Sequence, residues 1–177
     1  MPGVENEGGI NWLALPFDRL SGGLLYRVLA LRSAVFVVEQ ECLHLDMDGL
    51  DLRSTVVLGV RSWGATGYAD ASWHDVVATA RILPPGVGFP DPSIGRLCVS
   101  NTWRGQGLGR ILLRQAVKAC AQQFPGMPIR MSAQAHLQKF CRAAGFRMAS
   151  EVYLENHIPH IEMVIMPQAS APALLAG

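Results

Sequence analysis

The sequence predicts a single mixed α/β domain, a sheet with helices covering both faces. Strand-like alternation and helix-like spacing replace one another along the chain, and 50% of the 177 residues are hydrophobic against 16% charged. A chain of this length removes about 70% of its unfolded surface from water, so its core requires neither a metal nor a disulfide.

The elements follow in order. Residues 1–10 (MPGVENEGGI) read as a flexible start. Asn11 to Phe17 alternates apolar and other residues and predicts a first strand. Ser21 is a candidate N-cap for a helix bearing Leu24, Leu25, Val28, Leu29, Val35 and Phe36 at helical spacing. That helix gives way to the acidic segment EQECLHLDMDGLD, a loop or short helix. Strands are expected at Thr55 to Val60 and Val76 to Leu83, with a Gly- and Trp-bearing hairpin or excursion between them. Pro84 to Pro92, holding four prolines and two glycines, is loop. Ile94 to Ser100 is the fourth strand. It leads through NTWRGQGLGR into a helix with Leu108, Ile111, Leu112, Ala116, Ala119 and Cys120 inward and Arg110, Arg114 and Lys118 in water. Pro128 to Ala133 is a fifth strand. His136, Leu137, Phe140 and Ala144 mark a helix closed by Gly145, and Phe146 to Leu154 and Pro159 to Met166 are the last strands. The domain is expected to span 11–166, with 167–177 a flexible tail.

Composition excludes several functions. The net charge is +1, with 15 Lys+Arg against 14 Asp+Glu, and no basic stretch tracks a phosphate backbone, so nucleic acid is not an expected partner. No apolar run approaches the ~20 residues of a membrane span, and the first residues lack the apolar core of a secretory signal. Cys42, Cys98, Cys120 and Cys141 show no metal-ligand spacing and read as reduced thiols of a cytoplasmic protein. No metal is expected. Asp46-x-Asp48-Gly49 lacks the glycine and terminal glutamate of a calcium loop, and His157-x-x-His160 has no further ligands at zinc spacing.

The informative segment is Arg104-Gly105-Gln106-Gly107-Leu108-Gly109-Arg110, three glycines between a strand and a helix start. Glycines there let backbone N–H groups approach an anion at the positive end of the helix dipole. No Gly-Lys-Ser/Thr follows, and the third glycine of a dinucleotide fingerprint is missing, so neither of those phosphate loops fits. The segment does match R/Q-x-x-G-x-G/A through Arg104, Gly107 and Gly109, and on it the chain resembles the GNAT superfamily of acetyl-CoA-dependent N-acetyltransferases. Phe140-Cys141-Arg142-Ala143-Ala144-Gly145-Phe146 is similar to that family's F-Y-x-x-x-G-F. VFVVEQ, DMDGLDL, QAHLQ, EVYLE and IPHI resemble its ElaA-like branch, and the likeness covers roughly residues 11 to 166.

The resemblance implies a mostly antiparallel sheet of six to seven strands, splayed between strands 4 and 5 and flanked by about four helices. It implies acetyl-CoA as co-substrate, with pyrophosphate on Arg104, Gly105, Gln106, Gly107, Leu108, Gly109 and Arg110. Pantetheine is expected along the backbone of Leu97, Cys98 and Val99, with an N–H near Val99 facing the thioester oxygen, and Gln134 is a further coenzyme contact. Cys141 stands where many relatives carry the tyrosine that protonates the leaving thiolate.

The expected acceptor is a primary amine, small-molecule or peptide. Glu39, where the first helix ends, is the candidate general base; His136 and His160 are alternatives that also count as acceptor contacts, and Tyr153 is one by resemblance alone. From Glu39 to Asp51 there are five acids and no Lys or Arg, so Glu39, Asp46 and Asp48 are expected to draw a cationic acceptor. A homodimer is the candidate assembly. A non-catalytic acyl-CoA-binding module is the alternative to transfer, and a thioesterase-like activity a third reading.

Overall fold

The computed structural model describes residues 5–42, 45–61 and 76–167. The last ten residues of the expected tail, and the expected connection between the second and third predicted strands from 62 to 75, lie outside these. Eight strands form one sheet: β1 (Glu5–Glu7), β2 (Ile10–Pro16), β3 (Thr55–Val60), β4 (Val76–Leu83), β5 (Ser93–Val99), β6 (Ile129–Gln134), β7 (Arg147–Glu155) and β8 (Ile158–Ile165), in the order β1-β2-β3-β4-β5-β6-β8-β7. The strand beyond the expected six to seven is β1, within the stretch read as a flexible start. It pairs antiparallel with β2, and its Glu5 and Glu7 form ion pairs with Lys118 and Arg114.

Helix α1 (Gly22–Arg32) begins at Ser21, whose hydroxyl accepts from Leu24 N–H as expected of an N-cap. It continues into a π-helical turn, Ser33–Glu39, in which Gln40 N–H donates to Val35 O at 3.0 Å. Helices α2 (Leu108–Gln123) and α3 (Gln138–Ala143) follow, so the described residues hold three α-helices beside the π-helical turn. No helix of the described residues is long and apolar enough to cross a membrane.

The strands alternate between two cores. Leu13, Leu15, Val56 and Leu58 pack with Leu24 and Val28 of α1 on one face. On the other face Ile10, Trp12, Val57, Ala80 and Ile82 pack around Leu112, Leu113 and Ala116 of α2. Every residue of β3 and β4 is buried, since helices cover both sides of the sheet centre.

All pairings are antiparallel except β5 with β6, which meet in parallel at one register pair, Ser93 with Arg130. Arg130 N–H donates to Pro92 O at 2.9 Å there, and beyond it the strands diverge. This is the expected splay, between the fourth and fifth predicted strands. It leaves the C-terminal half of β5 without a neighbour on one edge, and that edge leads into the glycine loop.

Candidate active site between the splayed strands

The glycine loop is built as an open cradle. After the 3-10 turn Asn101–Trp103, Gly105 and Gly107 take φ of +77° and +82°, left-handed conformations that side chains other than glycine resist. Gly107 is the N-cap of α2 and contributes no side-chain cap; Arg110 N–H donates back to Gly107 O at 3.0 Å, and the N–H groups of Leu108 and Gly109 ahead of it are the first-turn donors a helix leaves open. A Cβ built at Gly105 or Gly107 meets nothing within 4 Å, and one at Gly109 meets Phe140 at 3.8 Å. Packing within the protein therefore does not require these glycines to lack side chains. What fits is a ligand approaching the backbone, and the fit is to an anion, because α2 is 16 residues long and Arg104 and Arg110 flank its start.

Beside the loop, the gap between β5 and β6 opens into a cavity of about 400 Å3. Leu97 of β5, Ser132 and Gln134 of β6, and Cys141 of α3 line it, with Tyr153, Glu155 and His160 from the β7–β8 hairpin. The π-helical turn contributes Phe36 and the following Gln40. Gln134 Nε2 donates to Gln40 Oε1 at 3.2 Å, so the expected coenzyme contact spans the cavity toward the end of α1.

Sequence candidates fall differently around this space. Arg104 links three parts of the site: its Nε donates to Val99 O at 3.1 Å, and its two Nη atoms grip the Glu39 carboxylate at 2.5 and 2.9 Å. Glu39 is thus ion-paired and about 40% exposed, and it is not among the residues lining the cavity. The hydrogen bonds from Arg104 hold its carboxyl below the usual range, which weakens it as a base. Cys98 and Val99 are buried, and desolvation pushes the Cys98 thiol up to about 12. Cys141 is 1% exposed, and burial pushes its thiol up to about 11. His160 lines the cavity with Nδ1 2.8 Å from Ile158 O, whereas His136 is exposed on the 3-10 turn Ala135–Leu137, away from the lining.

The acidic run departs most from expectation. It has no base in sequence, but space supplies three. Buried Arg32 donates to Asp46 at 2.8 Å and to Asp51 at 2.7 Å, and Arg81 donates to Asp48 at 2.7 and 2.8 Å. Arg96 reaches both Asp46 and Asp48. Burial alone would raise the Asp48 pKa, but hydrogen bonds from Arg81 and Leu50 N–H bring it down to about 2. Three arginines thus neutralise Asp46, Asp48 and Asp51. The first two form a braced wall, with only Asp48 at the cavity, in place of a lure for cations.

Sequence reasoning did not single out Ser132 and Glu155. The signal that marks them is period 2, since Ser132 and Gln134 on β6, and Tyr153 and Glu155 on β7, bring polar groups to the cavity side.

Residues 85–166 match the model of the acetyltransferase (GNAT) domain. ElaA of Escherichia coli is 39% identical over 156 residues, covering 87% of this chain and 95% of that protein. The chain belongs to the GNAT family, in its ElaA-like branch. A UPF0039 protein of Synechocystis is 37% identical over 155 residues, 88% of this chain and 94% of its own. Among solved structures, an acyl-CoA N-acyltransferase from Pseudomonas aeruginosa superposes with a TM-score of 0.77 at 36% identity, covering 88% of this chain and 99% of its own. Escherichia coli ElaA gives 0.76, with the same shares covered. This GNAT protein is accordingly an acyltransferase of acyl-CoA.

Proposed function

We propose that this GNAT acyltransferase moves the acetyl group of acetyl-CoA directly to a primary amine. The observation that carries the reading is the pairing of two features: an open anion cradle at the start of α2 and a cavity where β5 parts from β6, apolar in much of its lining with polar groups from β6 and β7. Pyrophosphate oxygens would accept from the N–H groups of Gly105 to Gly109 and from the Arg110 side chain. The pantetheine arm would follow the unpaired edge of β5 along Leu97, Cys98 and Val99, with an N–H near Val99 toward the thioester oxygen. The amine nitrogen bonds to the acyl carbon, the carbon–sulfur bond breaks, the amine loses a proton and the thiolate gains one.

Cys141 is a poor source of that last proton. Burial pushes its thiol up to about 11, which makes it a weaker acid than an ordinary thiol. Cys141 therefore serves as a small wall residue, and the thiolate leaves to solvent. The acceptor is selected by the cavity and its hydrogen-bonding groups, because the arginine-paired aspartates carry no net charge to attract a cation.

Cysteine in place of tyrosine favours one alternative, a module that binds acyl-CoA without turnover. Free-thiol release from acetyl-CoA, measured with and without a panel of primary amines, separates the readings. Amine-dependent release supports transfer, amine-independent release a thioesterase, and binding without release the module.

A further inference from the structure

One wall of the cavity carries three oxygens in a row. Tyr153 Oη lies 2.6 Å from Ser132 Oγ, and Ser132 Oγ donates to Glu155 Oε2 at 2.9 Å. Tyr153 and Glu155 are two residues apart on β7 and share a face, while Ser132 stands on β6, with β8 between the two strands. A serine hydroxyl has one hydrogen. Ser132 gives it to Glu155, so the phenol donates to Ser132, and the remaining lone pair of Tyr153 is left to accept a proton from the cavity that it lines.

We propose that Tyr153, Ser132 and Glu155 form the proton relay that deprotonates the acceptor amine, with Tyr153 the catalytic residue and Ser132 and Glu155 acting through it. The inference rests on the acyl-transfer reading above. As the nitrogen bonds to the acyl carbon, its N–H proton passes to Tyr153 Oη, the phenolic proton to Ser132 Oγ, and the serine proton to the Glu155 carboxylate. Tyr153 and Ser132 end the step neutral. Glu155 is exposed and releases the proton to water.

A phenol acting alone would have to ionise first. Burial opposes that, the Ser132 hydrogen bond favours it, and the charges of Glu155 and Glu162 oppose it again, the balance holding Tyr153 above the usual tyrosine range. Neutral Tyr153 can nonetheless accept a proton when its own leaves in the same step, which the chain to Glu155 provides. Glu39, the other carboxylate considered as base, is gripped by Arg104 away from the cavity lining.

Other titratable groups face this relay. His160 on β8 has its ring centroid 6.3 Å from that of Tyr153 and its Nδ1 against Ile158 O. Glu162 on β8 is paired with Arg130 of β6 at 3.0 Å. Cys141 lines the cavity from α3, and Asp48, Arg81 and Arg96 line it from the braced wall.

The test follows thiol release from acetyl-CoA with spermidine, n-butylamine and a lysine peptide, and takes the fastest of these through full steady-state kinetics. Tyr153→Phe, Ser132→Ala and Glu155→Gln are each expected to lower kcat by about 10²-fold with the KM for acetyl-CoA unchanged. The Tyr153→Phe/Glu155→Gln double variant is expected to be no slower than the slower single, because the groups act as one unit. Ser132→Thr restores the hydroxyl and most of the rate. Any one single variant of the relay that keeps wild-type kcat, a double variant whose losses multiply, or a Ser132→Thr variant no faster than Ser132→Ala overturns the relay alone. Wild-type protein that binds acetyl-CoA yet releases thiol with none of the amines overturns the acyl-transfer reading, and the relay with it.

Discussion

Glu39→Gln is expected to tighten acetyl-CoA binding, although it removes a carboxylate from the edge of the site. In the free protein Arg104 is committed to Glu39 through two hydrogen bonds of 2.5 and 2.9 Å, and a pyrophosphate must compete for the same guanidinium. Both side chains are about 40% exposed, so the pair is screened and contributes about 0.2–1 kcal/mol. Removing that competition strengthens binding by the same amount, about 1.4- to 5-fold in Kd. Glutamine keeps the length and one hydrogen bond, so the loop is not displaced. Isothermal titration of acetyl-CoA into both proteins reads the effect. It should shrink in high salt, and it should vanish at acid pH, because protonating wild-type Glu39 also frees Arg104. Arg104 holds the Glu39 pKa below its ordinary value, so the competition is fully present above that value and is lost as pH falls through the lowered one. An unchanged or weaker Kd for Glu39→Gln at neutral pH would falsify the idea that Glu39 and the coenzyme share Arg104.

Three further outcomes are expected. Gly109→Glu keeps a helical φ and meets Phe140 at 3.8 Å, so the protein should fold with near-wild-type Tm while calorimetry shows acetyl-CoA affinity reduced at least tenfold by a carboxylate facing the pyrophosphate; unchanged affinity would remove the cradle from the coenzyme site. Cys141→Ala should keep at least about a tenth of wild-type turnover, since a thiol at about 11 gives little acid catalysis, and a loss of ~4 kcal/mol or more in transition-state stabilisation would show the thiol to be essential. Asp48→Asn should lower stability to urea at neutral pH. Its partners bring the Asp48 pKa to about 2, so the loss should be complete above the unfolded value of about 3.9 and fade as pH falls through about 2; a difference independent of pH would refute the ion-pair account.

The glycine loop was legible because its chemistry is local. Arg104, Gly107 and Gly109 lie within six residues, and the strand before them and helix after them announce themselves by period. The strand expected from Asn11 was equally readable, as was Ser21 as an N-cap. The acidic run misled because its counter-charges come from afar: Asp48 finds Arg81 33 residues away and Arg96 48 residues away, and Asp46 finds Arg32 across 14. A charge count along the chain cannot see partners that only folding brings near.

What the sequence by itself determined is therefore the class of protein and the glycine turn that opens α2. Backbone conformations at Gly105 and Gly107 and the helix dipole behind them follow from residues close in the chain. Tertiary structure alone decided the strand order and the side chains that meet around the cavity. It set Arg104 on Glu39 and sealed the aspartates with arginines. It also drew Ser132 of β6 against Tyr153 and Glu155 of β7, two strands that are neighbours only through β8. The physical reason is range: hydrophobic period and turn chemistry act over a few residues, whereas an ion pair or hydrogen bond acts over a few ångströms between side chains whose separation along the chain is arbitrary.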